Sequence, residues 1–239
     1  MQSRLEDALD EIDRSLIRNW HNHKARALKT AILRRMDKTE EALQLIEDSL
    51  AIDKFNFGCR YEKYLITNVA DELAVMKEMM RGEPHNYDEI ALEYCAAGCW
   101  QEAASLWNIA IAEGIVTPMT YYYLGWCLHQ GGLSGVKQAF DDAVKACPDY
   151  CFPNPLEAIL ALQCAMVQNP DDARAPYYLG NLYYDKRQYD LSMEAWETSA
   201  RLDGSFPTVW RNLALAFFNK KNEEAKGIEC MERADRKST

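Results

Sequence analysis

Apolar residues recur along most of the chain every three or four positions, the spacing that places side chains on one face of an α-helix. Near the start, Leu5, Leu9, Ile12 and Leu16 follow this spacing. Breaks rich in Gly, Pro, Asn and Asp separate one apolar stripe from the next and predict the helix ends. The pattern predicts an all-helical chain, with helices over residues 5–17, 23–35, 39–52, 58–67, 70–81, 86–97, 100–113, 120–130, 134–146, 156–168, 173–185, 189–202, 207–220 and 223–234.

A longer period organises these helices into pairs. Leu179-Gly180 lies three residues before Tyr183-Tyr184, and the same arrangement returns 34 residues later as Leu213-Ala214 before Phe217-Phe218. A 34-residue period with a Leu-Gly or Leu-Ala step and an aromatic residue on one helix is typical of tetratricopeptide (TPR) repeats. The chain resembles the TPR superfamily over essentially its full length. Residues that match the packing positions of the family are Leu179, Gly180, Tyr183, Trp196, Trp210, Leu213, Ala214 and Phe217.

The resemblance implies an all-α fold, a right-handed superhelical solenoid of TPR-like helix pairs in which each pair contacts its neighbours. The chain departs from the family pattern at Ser192 and Ser199, where alanine is usual, at Gly204 in place of proline, and by one residue near Asn222. Residues 173–221 also resemble the TPR-like C-terminal part of large bacterial proteins that carry an N-terminal β-sandwich domain. That closer resemblance implies that the chain is a fragment of a larger protein.

We expect one TPR-like repeat domain over residues 1–239, with regular repeats at about 84–148 and 173–236 and irregular stretches at 55–83 and 149–172. In the second irregular stretch, the helix over residues 156–168 has no complete first helix before it, and residues 150–153 form an extended connection. The helix over residues 5–17 also lacks a first helix. Its apolar stripe is left with one neighbour, which predicts self-association.

Charge and composition argue against several classes of partner. The chain has 27 Lys+Arg against 37 Asp+Glu, a formal net charge of −10, and such a surface repels nucleic-acid phosphates. The charged N-terminus lacks the apolar core of a secretory signal. The longest apolar run, near residues 159–167, is too short to span a membrane. The sequence therefore predicts a cytoplasmic protein that binds neither nucleic acid nor membranes.

Candidate catalytic and metal-binding residues do not form a recognised pattern. Cys95 and Cys99 are separated by three residues, as are Cys147 and Cys151, but structural zinc sites need two close pairs or histidines at matching spacing. The eight cysteines are therefore interpreted as reduced, small hydrophobic residues. The chain has neither a Gly-x-Ser-x-Gly sequence nor a phosphate-binding glycine loop. We expect no enzyme activity, no metal and no cofactor.

Aromatic residues are concentrated on the first helices of the later repeats. Tyr and Trp are favoured at binding surfaces because they combine a large rigid area with a polar group. The family geometry implies that Leu124, Tyr178, Tyr183 and Phe217 pack inside, while a second set lines a concave groove. An alternative is that about half of the aromatic residues only fill the seams between repeats. The groove set is Tyr122, Trp126, His129, Tyr177, Asn181, Tyr184, Arg211, Leu215 and Phe218, together with Asn212.

Asn181 and Asn212 fall where TPR domains that grip a peptide's C-terminal carboxylate place asparagines, although Tyr177 stands where that grip has a lysine. The function implied is a non-enzymatic protein-protein interaction scaffold that binds a peptide or partner protein in its concave groove. The alternative is a carbohydrate-associated accessory module of a multidomain bacterial enzyme, in which the groove aromatics would stack on sugar rings.

Overall fold

The computed structural model describes the backbone of residues 2–238 and the side chains of residues 4–236. Over these residues every regular element is a helix. The helices are α1 (Gln2–Arg18), α2 (His23–Arg35), α3 (Thr39–Ile52), α4 (Phe57–Thr67), α5 (Ala70–Met80), α6 (Pro84–Ala96), α7 (Trp100–Ala112), α8 (Pro118–Gln130), α9 (Val136–Lys145), α10 (Glu157–Gln168), α11 (Arg174–Asp185), α12 (Tyr189–Leu202), α13 (Pro207–Ala216), a π-helical segment (Phe217–Lys221) and α14 (Glu224–Ser238).

The predicted helices are all present, most with ends within two residues of the predicted ones. One prediction needs correction, because the helix expected over residues 207–220 ends at Ala216 and continues as the π-helical segment. Successive helices pack against each other as pairs, so the predicted all-α fold built from TPR-like helix pairs is confirmed.

The chain forms two compact units, residues 1–86 and residues 87–239. In the first unit, α1 packs against α2, α2 against both α3 and α4, and α4 against α5. Leu16 of α1 is buried, whereas Ile17 is exposed. The self-association expected of α1 stays a prediction. Gly58 lets α4 approach α2 closely, since a Cβ at this position would lie 2.7 Å from the Cβ of Ala27.

In two pairs of the second unit, α8–α9 and α11–α12, a large residue of the second helix lies against a glycine of the first. The ring of Phe140 on α9 packs against Gly125 on α8, where a Cβ would lie 2.5 Å from Cε1 of the ring. Trp196 on α12 packs against Gly180 on α11 in the same way. The Leu-Gly step in the sequence therefore corresponds to a close contact between the two helices of each of these pairs.

The segment between α9 and α11 departs from the regular pairing. Helix α10 packs against both α8 and α11 rather than mainly against α9, the helix before it. Residues 151–154, which lead into α10, have no regular secondary structure, whereas Tyr150, where the extended connection is expected to begin, lies in a turn with a φ of 57°. Cys151 in this connection is buried, and burial raises the pKa of its thiol to about 11.

Candidate interaction surface

Two of the predicted groove residues on α8, Tyr122 and Trp126, are buried. Tyr122 is fully enclosed, with its ring 6.1 Å from that of Tyr178 and its hydroxyl donating to Oδ2 of Asp172 at 2.8 Å. The ring of Trp126 meets the ring of Trp100 edge-on at 5.9 Å. Neither residue faces an open groove, contrary to the expectation from the sequence. The physical reason is that Tyr178 of α11 and Asp172, two residues before α11, cover Tyr122, while Trp100 at the start of α7 covers Trp126.

His129 is exposed in the last turn of α8. Among the described side chains, no hydrogen bond or ring contact joins His129 to another predicted groove residue, whereas a hydrogen bond joins Asn181 on α11 to Asn212 on α13.

Two tyrosines of α11 are partly buried and contribute to packing as well as to the surface. The ring of Tyr177 lies 4.8 Å from the ring of Phe206, and the ring of Tyr184 lies 5.4 Å from the ring of Trp196. Both tyrosines border the core cluster formed by α12, α13 and α14. The alternative interpretation, that some groove aromatics fill seams between repeats, therefore holds in part for this pair.

Asn181 and Asn212 connect the first helices of adjacent pairs. Oδ1 of Asn181 accepts a hydrogen bond from Nδ2 of Asn212 at 3.0 Å and another from Nε1 of Trp196 at 3.0 Å. Because Oδ1 of Asn181 already has two donors, this atom serves to align α11, α12 and α13. The amide N–H groups of Asn181 and the carbonyl oxygen of Asn212 take no part in this link.

Three exposed residues follow one another at helical spacing along α13 and the segment after it. Arg211, Leu215 and Phe218 lie in one line that runs from α13 into the π-helical segment, and all three side chains are exposed. We call the residues of the two first helices the α11–α13 surface. It consists of Tyr177, Asn181, Tyr184, Arg211, Asn212, Leu215 and Phe218.

The sequence reasoning missed Lys220, which lies at one end of this surface. Its Nζ is 4.4 Å from the ring centre of Tyr189 and 5.8 Å from that of Tyr184, distances at which a cation interacts favourably with a ring face. Neither Lys220 nor Arg211 forms an ion pair with an acidic side chain that the structure describes. The shortened repeat near Asn222 was the only available signal, because the π-helical turn that positions Lys220 lies next to it.

The α11–α13 surface presents aromatic rings, amide groups and positively charged side chains. Among the described side chains, no group of three or more His, Cys, Asp or Glu could hold a metal ion. Over the same part of the chain, no helix combines the length and the apolarity needed to cross a membrane. The surface can therefore offer apolar contact, hydrogen bonds and positive charge to a ligand.

No family model matches the chain, and no curated protein matches it. Among solved structures, it is similar to MamA from Desulfovibrio magneticus RS-1, with a TM-score of 0.35 and 17% identity over 90% of this chain and 94% of that one. It is also similar to YrrB, described as a TPR protein with an unusual peptide-binding site, with a TM-score of 0.33 and 14% identity over 94% of this chain and 91% of that one. TM-scores this low carry no argument about what the present chain binds.

Proposed function

We propose that the protein is a non-enzymatic interaction scaffold that binds a peptide segment of a partner protein on the α11–α13 surface. The observation that carries the proposal is the exposed line of Arg211, Leu215 and Phe218 beside the asparagine pair. These three side chains are exposed along α13 and the π-helical segment, whereas Val209 and Leu213 of α13 belong to the core. Their apolar area and charge are therefore available to a ligand.

The surface suits a peptide with one large apolar side chain and an acidic group. Phe218 and Leu215 supply apolar area, and Arg211 and Lys220 supply positive charge that has no acidic partner within the described chain. This local positive charge contrasts with the net charge of −10 of the whole chain, so it would steer an acidic segment to this place. The amide groups of the asparagine pair would then bond to the peptide backbone.

We further propose that the protein works in a reducing compartment such as the cytoplasm. Support comes from its cysteines, which are all present as free thiols and are mostly buried. Disulfides are rare in reducing compartments, and buried thiols there behave as small apolar residues.

Selection from a random peptide display library tests the proposal. The affinity of the selected peptide is then measured by calorimetry for the parent chain and for Arg211→Ala and Phe218→Ala. We expect each substitution to weaken binding by about 2 kcal/mol if the residue is a hot spot, roughly thirtyfold in affinity. Both side chains are exposed, so thermal stability should change little. Tyr177→Ala is less suitable, because it also removes the contact with Phe206.

Glu194→Ala is the matched control, since Glu194 is an exposed residue of α12 outside the surface. Peptides that bind all four proteins equally would show that the surface is not the binding site. A screen of the same proteins against immobilised glycans examines the carbohydrate alternative. If the parent chain binds a glycan but no peptide, and Phe218→Ala loses that binding, the carbohydrate alternative replaces the peptide proposal.

A further inference from the structure

Helix α10 turns mostly small side chains inward and larger apolar ones outward. Its fully buried residues are three alanines and one leucine, namely Ala158, Ala161, Leu162 and Ala165. The outward residues Leu160 and Val167 are 51% and 74% exposed. A surface helix of a monomer normally turns its larger apolar residues toward the core. The outward side of α10 therefore has the composition of a contact surface.

This outward side also lacks charge. Between Ala158 and Pro170 the chain has no Asp, Glu, Lys or Arg, although 27% of all its residues are charged. The nearest ionisable residues of these types are Glu157 at one end and Asp171 at the other. Solvent-exposed helices are usually kept soluble by charged residues, so an uncharged exposed face of this length is typical of a protein interface.

The outward residues are arranged symmetrically about Gln163. Apolar residues stand three, four and seven positions away from it on both sides. Each of them is exposed or half-buried. The residues before Gln163 are Leu156, Ile159 and Leu160, and those after it are Met166, Val167 and Pro170.

From this symmetry we infer that α10 binds the α10 helix of a second copy of the chain, antiparallel, about a two-fold axis at Gln163. A two-fold contact uses the same surface on both partners. Leu160 and Val167, seven positions apart, lie on one side of the contact, and Ile159 and Met166 lie on the other side. The two-fold axis places each side against the same side of the second chain, so Leu160 of each chain meets Val167 of the other, and Ile159 meets Met166. Glu157 lies at the level of Asn169, so no like charges meet although each chain carries a net charge of −10.

At the axis the two Gln163 side chains meet each other. Nε2 of Gln163 donates to the hydroxyl of Tyr183 at 3.3 Å, which uses one of its two N–H groups. The second N–H and the Oε1 atom remain to form a reciprocal pair of hydrogen bonds with the other copy. A polar residue at the centre of an apolar helix contact favours one register over others, because any shift leaves its amide unpaired.

A contact made by one 12-residue helix from each chain is small. Interfaces at the low end of the size range are transient. The expected state is therefore a concentration-dependent equilibrium between monomer and dimer. This association is independent of the α11–α13 surface and does not rest on the proposed function.

Sedimentation velocity of the full chain over a roughly hundredfold range of concentration tests the inference. We expect the parent chain to shift from monomer toward dimer, and Leu160→Glu to raise the midpoint of the shift by more than about tenfold. Ile228→Glu is the matched control, because it adds the same charge at an exposed apolar residue of α14. Circular dichroism shows whether each variant keeps its helical content and melting temperature.

A mixing experiment examines the register. Val167→Lys alone should also weaken association. An equal mixture of Leu160→Glu and Val167→Lys should form a heterodimer, because the carboxylate introduced in one chain then faces the ammonium group introduced in the other. A parent chain that stays monomeric throughout, or a dimer that survives Leu160→Glu and is lost with Ile228→Glu, would overturn the inference. A mixture that stays monomeric while both variants are folded would overturn the two-fold register.

Discussion

Asp172 shows how a single buried carboxylate joins three parts of the second unit. Its Oδ2 accepts from the hydroxyl of Tyr122 on α8, and its Oδ1 accepts from the backbone N–H groups of Arg174 and Ala175 at the start of α11. Burial raises the pKa of Asp172 above its ordinary value of 3.8, and these hydrogen bonds and the charge of Arg174 offset only part of that effect.

The raised pKa has a testable consequence for stability. A carboxyl group whose pKa is higher in the folded than in the unfolded state binds its proton more tightly when folded. Its contribution to stability is fully present below about pH 3.8, the unfolded value, and is lost as the pH rises through the folded pKa. In Asp172→Asn, the amide oxygen keeps the bonds to α11 and no charge is buried.

We therefore expect the free energy of unfolding of the parent chain, relative to Asp172→Asn, to rise as the pH falls from neutral toward 3.8. Denaturant unfolding of both proteins at each pH measures the difference, in which the other carboxyl groups cancel. Asp172→Ala is the control for the hydrogen bonds and should be less stable at every pH, because it leaves the Tyr122 hydroxyl and two N–H groups without this acceptor. If the free energy of unfolding of the parent chain relative to Asp172→Asn instead decreases as the pH falls, the pKa of Asp172 is not raised by folding.

Some residue roles could be predicted from the sequence and others could not. Gly180 and Trp196 were identified as packing residues because their contact lies within one helix pair, at a spacing that recurs along the chain. For Tyr122, the family geometry of a first helix predicts a position in an open groove. Its burial depends on Tyr178 and Asp172, which come about 50 residues later, after a segment that breaks the period.

At the scale of elements, the turns after α6, α8 and α11 share one backbone geometry. At the end of α11, the N–H of Arg187 bonds to the carbonyl of Tyr184, and the N–H of Gln188 bonds to the carbonyl of Tyr183. This pair of bonds needs a residue in the left-handed region, and Arg187 has a φ of 61°. Two glycines stand at the equivalent positions after α6 and α8, with φ of 72° and 63°, namely Gly98 and Gly132.

Arg187→Gly should stabilise the protein by about 0.5–1 kcal/mol. A side chain in the left-handed region costs roughly 1–2 kcal/mol, and the greater freedom of glycine in the unfolded chain offsets part of the gain. Glu194→Gly is the control at an exposed position in the middle of α12, where glycine should destabilise by about 0.5–1 kcal/mol. Thermal and denaturant unfolding measure both changes, and the same sign for the two variants would contradict the explanation.

The ends of most helices could be predicted because capping, glycine turns and apolar periodicity are local properties. The bounds of α10 were also predictable, from the prolines before it and the Asn-Pro step after it. Its packing partners were not, since contacts with both α8 and α11 depend on the path of residues 146–156. The π-helical segment was missed for a related reason, because apolar spacing does not distinguish one extra residue in a helix from a shortened turn.

At the scale of the whole molecule, the two units each contain buried thiols, so cysteine reactivity reports on both. Cys147 is exposed, Cys164 is intermediate and the other six cysteines are buried. Burial raises the pKa of Cys59 in the first unit and of Cys151 in the second to about 11 each. At about pH 8 these two thiols are therefore both inaccessible and almost entirely protonated, and only the thiolate form reacts with alkylating reagents.

We expect iodoacetamide at about pH 8 to modify one cysteine rapidly in the folded protein, and peptide mass spectrometry to identify it as Cys147. Cys164 should follow more slowly, because partial burial limits access and raises its pKa. The remaining six should react only when the unit that contains them unfolds in denaturant, giving eight modified cysteines in total. Cys147→Ser should remove the rapid phase and leave the others unchanged. Fewer than eight reactive thiols in the denatured protein, with a mass two hydrogens lower for each missing pair of thiols, would show a disulfide. Rapid modification of Cys59 in the folded protein would show that the core of the first unit opens readily.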